Sequence, residues 1–256
     1  MAQTAPRAVR SAFMQSRNAH EVIVVDDGST DSRELCDALC EFVDHRFRYH
    51  KLPTNMGPAA ARNAGARLAS GDLLGFLDGD DELHPDWLES SMHAFTPSAD
   101  TRIVTSGITR CDQRDGSTED RLPERLGPAF HGMVARFHGP PTLLVDRRLF
   151  NQIGGYDPHL RYGENTDLGL RVAAVLGPNY EHQSAVVPQS LAQWNWAGPT
   201  RHSAPNRLAS SLEILKKHQI ALRRDPILRR RFLAEVEQCQ AAMEAAPDPI
   251  DQLRLE

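Results

Sequence analysis

Apolar and polar positions alternate in blocks along the 256-residue chain, and the blocks predict strands and helices by turns. Glu21 to Val25 is a short apolar, β-branched run that stops at Asp26, Asp27, Gly28 and Ser29, as a buried strand does. Ahead of it, residues 6 to 16 place Val9, Ala12 and Phe13 near helical spacing, with Pro6 suited to a first turn. Behind it, Leu35, Leu39 and Phe42 give one face to a helix over 32–43, which Ser29 or Asp31 could cap. Residues 46–50 predict a second strand, 53–58 a loop, and the alanine-rich 58–69 a helix ended by Ser70 and Gly71. Leu73 to Leu77 predicts a strand running into Asp78, Gly79, Asp80 and Asp81, and Pro85 opens a helix over 86–95.

The pattern continues with a strand over 101–109, a charged loop over 111–128, a short strand over 141–145 and a brief helix over 147–153. A helix over 165–175 presents Leu168, Leu170, Val172 and Val175, and 181–187 predicts the last strand. Trp194 and Trp196 fall in a polar loop, and 206–245 is helical with a break near Pro226. Strands alternating with helices at this spacing predict an α/β fold with a mostly parallel sheet. The division expected is an α/β domain over 1–200 and a C-terminal helical extension over 201–256. There is no internal repeat.

Composition narrows the classes. With 34 acidic and 29 basic residues and a net charge of -5, a dedicated nucleic-acid surface is not expected. Hydrophobic residues at 40% exclude wholesale disorder. Cys36, Cys40, Cys111 and Cys239 form no CxxC, so free thiols in a reducing compartment are expected rather than a zinc or redox site. No stretch reaches the roughly 18 apolar residues of a membrane helix, and the N-terminus has no apolar run of signal-peptide length. The expectation is a cytoplasmic protein, with peripheral association on the inner face of the membrane left open. The arginine run Arg223, Arg224, Arg229, Arg230 and Arg231 would meet anionic lipid or form a solvated helix face. A homo-oligomer is left open too.

The candidate chemistry lies in two acidic clusters, Asp26 with Asp27 and Asp78 with Asp80 and Asp81, each following a short apolar strand. Carboxyl ends of parallel strands face the ligand crevice. Carboxylates crowded there repel one another unless a cation or a donor-rich ligand offsets them, and such oxygen ligands suit Mg²⁺ or Mn²⁺ bridging to phosphate. The bland alternative is a pair of polar turns. An EF-hand is excluded, because the following residues lack its alternating oxygen ligands.

Four segments together are specific: EVIVVDDGSTD (21–31), the run from Asn55 to Glu89 containing PAAARNAGARLASGDLLGFLDGDD, GGYD (154–157) and GENTDLGLR (163–171). They resemble an inverting family 2 glycosyltransferase of the GT-A fold, over about residues 5 to 182. The resemblance implies a nucleotide-diphosphate sugar, with a UDP-sugar favoured, bound over the end of the sheet. It implies that Asp27 contacts the base with Asp26 supporting the loop, and that Arg62 and Asn63 lie beside the donor. Asp78 and Asp80 match the DxD motif, Asp80 being the better direct ligand for Mn²⁺ or Mg²⁺, with Asp81 behind it. The general base usually comes from an acidic pair, but here the second acid is Asn165, which cannot take a proton at neutral pH. The duty falls to Glu164 or Asp167, with Asp167 favoured. Gly154, Gly155 and Tyr156 resemble the turn lining the acceptor side. Trp87, Trp194 and Trp196 would stack on sugar faces or pack into the core, and His182 or His202 could join the metal. A saccharide or a lipid-linked acceptor fits such a site.

One departure stands out. The family normally begins with an apolar strand and a base-binding loop ahead of the first helix, whereas residues 6–12 already read as that helix. Three accounts stay open: a late start, another segment or partner in the gap, or a degenerate relative. The function expected is inverting sugar transfer to a hydroxyl. The rival is a weak or inactive relative that binds nucleotide or glycan. A nucleotidyltransferase is disfavoured by the Glu164 to Asp167 segment and by the lack of a glycine-rich basic loop.

Overall fold

The computed structural model describes residues 1–42, 44–95, 100–131, 139–196 and 203–244. Helix α1 (Ala5–Phe13) starts with proline in its first turn and leads to β1 (Val22–Asp26). Helix α2 (Ser32–Leu39) then connects to β2 (Phe47–Lys51), which pairs with β1 in parallel from Val22–Phe47 to Asp26–Lys51. The apolar face read from Leu35 and Leu39 is real: both pack with Ala5 and Val9 of α1.

Helix α3 (Pro58–Leu68) crosses to β3 (Leu73–Gly75), followed by β4 (Glu82–Leu83) and α4 (Trp87–Ala94). Then come β5 (Ile103–Asp112), β6 (Thr118–Arg121), β7 (Leu143–Asp146) and α5 (Arg147–Gln152). Helices α6 (Glu164–Leu176) and α7 (Tyr180–Gln183) precede β8 (Ser184–Trp196). The second sheet has the order β3-β7-β5-β8-β4, with β6 hydrogen-bonded to β5. Parallel pairing holds for β1–β2 and β5–β8. The β3–β7, β5–β7, β4–β8 and β5–β6 pairs run antiparallel, so the second sheet is mixed. A core of Phe76, Ile103, Val145, Phe150, Tyr156 and Leu168 joins this sheet to α5 and α6.

Two segments differ from their sequence reading. The charged stretch after Cys111 is in part a hairpin, in which β6 pairs with β5 and Gly116 turns at a φ of +73°. Its side chains are polar because that end of the sheet faces solvent, so no apolar alternation marked it. Trp194 and Trp196 lie in β8, while residues 181–183 are helical.

The two sheets are separated by a slot. A cavity of about 660 Å³ lies between β1 and β3, lined by Val22, Val24, Leu73 and Leu74 and by Ala8 and Val9 of α1. Among the described residues no strand pairs with the free edge of either β1 or β3.

Helices α8 (Ala204–Lys217), α9 (Gln219–Arg223) and α10 (Pro226–Glu244) complete the chain. Their apolar faces meet Leu160 through Ile214, Leu222 and Phe232. Among the described residues no helix is long and apolar enough to cross a membrane.

Candidate functional site

Arg62, on the second turn of α3, is the hub. Its Nη2 donates to both oxygens of Asp78, at 2.7 and 3.0 Å, and its Nη1 donates to Glu164 at 3.1 Å. Its guanidinium lies 5.1 Å from the centre of the Tyr156 ring. Burial opposes the charge on Arg62, but Asp78, Tyr156 and Glu164 outweigh it and raise its pKa. One buried cation therefore joins the carboxyl end of β3 to the N-terminus of α6. These are the two places where the sequence located donor and acceptor chemistry.

Asp26 is a structural group. It is 3% exposed and accepts from Ser29 N at 2.8 Å, Ser32 Oγ at 2.7 Å and Tyr49 OH at 2.7 Å. Burial raises its pKa, but the hydrogen bonds from Ser32, Ser29 and Tyr49 prevail and bring it down to about 2. A depressed carboxylate stabilises the fold above its unfolded pKa of about 4 and loses that contribution as pH falls through the folded value. Asp26→Asn is therefore expected to lower the melting temperature at pH 7 and to flatten the acid loss of stability between about pH 4 and about pH 2. An unchanged melting temperature across that range refutes it. Asp27 turns the other way, its two oxygens accepting from Met56 N and Gly57 N, each at 2.7 Å. Each oxygen retains a second lone pair.

Asn63 was expected beside the donor. Its amide is bonded to the backbone of Tyr156, donating to the carbonyl at 2.7 Å and accepting from the N–H at 2.8 Å. It fastens the turn at 154–157 to α3. That turn needs glycine: Gly154 and Gly155 have φ of +80° and +68°, and a Cβ on Gly155 would sit 2.5 Å from Asn63 Oδ1. Tyr156 does not wall an open acceptor face as expected; it is 1% exposed and packs against Phe76 and Phe150 beneath Arg62. Trp87 is corrected likewise. Its indole is buried among Val104, Leu144, Val187 and Leu191, in van der Waals reach of Gly75, and offers no sugar platform.

Asp80 and Asp81 sit on the turn into β4, supported by the end of β8. Asn195 N donates to Asp81 Oδ1 at 3.0 Å, and Asn195 Nδ2 donates to the Asp80 carbonyl at 2.6 Å. Trp196 beside it is covered by Arg110 and Arg114, whose guanidinium carbons lie 3.7 and 4.3 Å from the ring centre, and Arg121 lies 5.8 Å from Trp194. His182 precedes the first residue of β8, whereas Asn195 is next to its last. Roughly 35–40 Å of strand separates it from Asp80, so it is no partner for that carboxylate. His202 lies outside the described residues.

The largest departure concerns Asp167. It is 0% exposed on the first turn of α6, and the side chains of Arg171, Lys217 and His218 occupy its oxygens. Arg171 donates to Oδ2 through Nε at 2.8 Å and Nη2 at 2.6 Å, while Lys217 Nζ and His218 Nε2 each reach Oδ1 at 2.8 Å. Burial opposes ionisation, yet His218, Arg171 and Lys217 together hold the carboxyl well below the usual range. Arg171 also donates to the carbonyls of Ile153 and Gly155 at 2.5 and 2.6 Å, and Lys217 bridges to Asp157 at 2.7 Å. Asp167 thus organises the turn and α8 around itself. Glu164, one helical turn earlier, keeps a partly exposed carboxylate that meets Arg62 and Asn165.

The sequence reading missed Arg171, Lys217 and His218. Arg171 sits four residues after Asp167, a spacing that marks a helical ion pair. Lys217 and His218 come from about 50 residues away, on a helix with no motif, and no local signal marks them.

Residues 2–163 match the family model of glycosyl transferase family 2. The chain is 33% identical over 176 residues to the succinoglycan biosynthesis protein ExoO of Rhizobium meliloti, covering 64% of this chain and 50% of that protein. It is 42% identical over 88 residues to an uncharacterized glycosyltransferase of Haemophilus influenzae, covering 34% of this chain and 35% of the relative. The chain therefore spans half or less of the length of these relatives. In fold it is similar to S. aureus TarS, with a TM-score of 0.61 at 17% identity, covering 94% of this chain and 69% of that one. TarS has been solved in complex with UDP and with UDP-GlcNAc.

Proposed function

The chain belongs to glycosyl transferase family 2, and from that premise we propose that it transfers a sugar from a nucleotide-diphosphate sugar to an acceptor hydroxyl with inversion. A UDP-sugar is the favoured donor, on the uridine ligands of the similar TarS fold. The observation that carries the reading is the Arg62 bridge, which holds Asp78 and Glu164 on opposite sides of one guanidinium.

In this reading Asp27 accepts from the base on its remaining lone pairs, and Arg62 offsets diphosphate charge. The acceptor oxygen attacks the anomeric carbon, the bond to the diphosphate oxygen breaks with its electron pair, and Glu164 takes the acceptor proton. Glu164 is preferred over Asp167 because a base must be reachable and must have a lone pair to spare, and Asp167 is fully buried with its oxygens on Arg171, Lys217 and His218.

The donor set fits Mg²⁺ or Mn²⁺. Among the described residues no cluster of three or more His, Cys, Asp or Glu could enclose a metal. Mg²⁺ needs only one or two carboxylates, with phosphates and water for the rest. Asp80, two residues after Asp78 on the turn into β4, is the carboxylate assigned to the cation, with Asp78 held beside it by Arg62. When bound, such a cation neutralises the leaving diphosphate.

Calorimetric titration with UDP, GDP and dTDP, each with and without Mn²⁺, tests the reading. Metal-dependent binding of UDP is expected, together with its loss in Asp80→Ala by at least about tenfold. UDP affinity unchanged by both the metal and the substitution refutes the metal assignment. A second reading, a relative that binds nucleotide or glycan without transfer, draws on Asn165 and on the slot, whose lining reaches Asp26 and Asp78. Nucleotide binding without any sugar-transfer product would favour it.

A further inference from the structure

The turn joining α9 to α10 takes no part in the site above, yet it concentrates both charge and apolar surface. Between residues 216 and 231 stand Lys216, Arg223, Arg224, Arg229, Arg230 and Arg231, in a chain whose net charge is -5. All six are exposed, and none makes an ion pair with a described residue. The one acid in this stretch, Asp225, is 4% exposed and turned inward. Its carboxylate accepts from Leu228 N at 2.9 Å and from Ala129 N at 3.4 Å. The exposed side chains of residues 219–231 therefore carry positive charge and no negative charge.

Two isoleucines on the helices either side of this turn are exposed, Ile220 of α9 at 69% and Ile227 of α10 at 84%. A single exposed aliphatic residue needs no explanation. These two flank a rigid corner, however. Leu222 is buried with Leu160, Ile214 and Phe232, Leu228 packs against them, and Asp225 ties the first turn of α10 back to Ala129. The exposed side chains thus project from a fixed platform.

Exposed arginines close in the chain to exposed aliphatic side chains match the chemistry of a lipid surface, where guanidinium groups meet phosphates and apolar tips enter the headgroup boundary. A single-stranded nucleic acid would call for aromatic rings to stack on its bases, and residues 219–231 contain none. We propose that the α9–α10 turn docks this protein on an anionic membrane surface, with Ile220 and Ile227 entering the boundary and the arginines on lipid phosphates. The docking surface does not depend on the proposed transferase reaction, and its test reads binding rather than turnover.

The experiment is co-sedimentation of the full chain with vesicles of phosphatidylcholine alone and of phosphatidylcholine mixed with phosphatidylglycerol. The partition onto the anionic vesicles is expected to exceed that onto the neutral ones at least about tenfold. Replacing Arg229, Arg230 and Arg231 by glutamine should weaken it by about fivefold per charge removed. The double change Ile220→Ser with Ile227→Ser should weaken it about tenfold or more. Both variants are expected to keep the wild-type melting temperature, because all five side chains are exposed. No binding by the folded protein, or equal binding to both vesicle types, overturns the proposal. Arginine-dependent binding that ignores the isoleucines and is matched by heparin also overturns it, and reassigns the turn to a polyanionic macromolecule.

Discussion

Glu164→Gln is expected to lower the turnover of sugar transfer by about a thousandfold while leaving nucleotide-sugar affinity nearly unchanged. The substitution keeps the length of the side chain and an oxygen that can accept from Arg62, so the bridge to Asp78 survives. Only the capacity to take a proton is lost. Asp167→Asn separates the two candidates by a different signature. It leaves Arg171, Lys217 and His218 around a neutral amide in a fully buried site, and removing one partner of such a network costs about 3–5 kcal/mol. A melting temperature lower by roughly 10 °C is therefore expected for Asp167→Asn and not for Glu164→Gln. Turnover measured well below the melting point, with donor affinity measured alongside, decides the matter. If Asp167→Asn melts normally and abolishes transfer while Glu164→Gln transfers sugar at the wild-type rate, the proton goes to Asp167.

These two carboxylates also mark where sequence reasoning reached its limit. Glu164 and Asp167 both lie on the first turn of α6, which starts one residue before the helix read over 165–175. Which of them faces inward depended on Lys217 and His218, carried by a helix whose own sequence shows only an amphipathic pattern. Contacts made across about 50 residues leave no periodicity. The same limit explains Asn63 and Trp87. Each sits in a recognisable motif, but burial was decided by elements that arrive later in the chain, the turn at Tyr156 and strands β5, β7 and β8. Features set by local chemistry were legible: the apolar runs of β1 and β3, the proline start of α1 and the alanine-rich run of α3. The β5–β6 hairpin was not, because solvent-facing strands carry polar residues that read as loop.

The slot between β1 and β3 leads to the prediction with the largest expected effect on stability: an added strand there should raise the melting temperature by roughly 10 °C or more. Position makes the experiment direct. The amino group of Met1 donates to Asp31 at 2.9 Å, and its side chain lies against Gly79, so Met1 sits where β1 and β3 end. A strand running parallel to β1 and finishing at that corner would turn straight into α1, giving the βαβ geometry that packs with the usual right hand. Five residues of alternating valine and isoleucine would bury side chains at about 1.5–3 kcal/mol each and pair backbone groups on both edges, against about 1–2 kcal/mol each for ordering the chain. The net is several kcal/mol, and a protein of this size gains about 2–4 °C per kcal/mol. The control is an extension of equal length with serine and asparagine at those five positions, which should leave the melting temperature unchanged. Because the slot reaches Asp26 and Asp78, the filled protein should also bind UDP more tightly than the unextended chain. Equal melting temperatures for the apolar and polar extensions would show that the strand does not enter the slot. A rise in melting temperature without a gain in UDP affinity would confine the slot's influence to the core and separate it from the donor pocket.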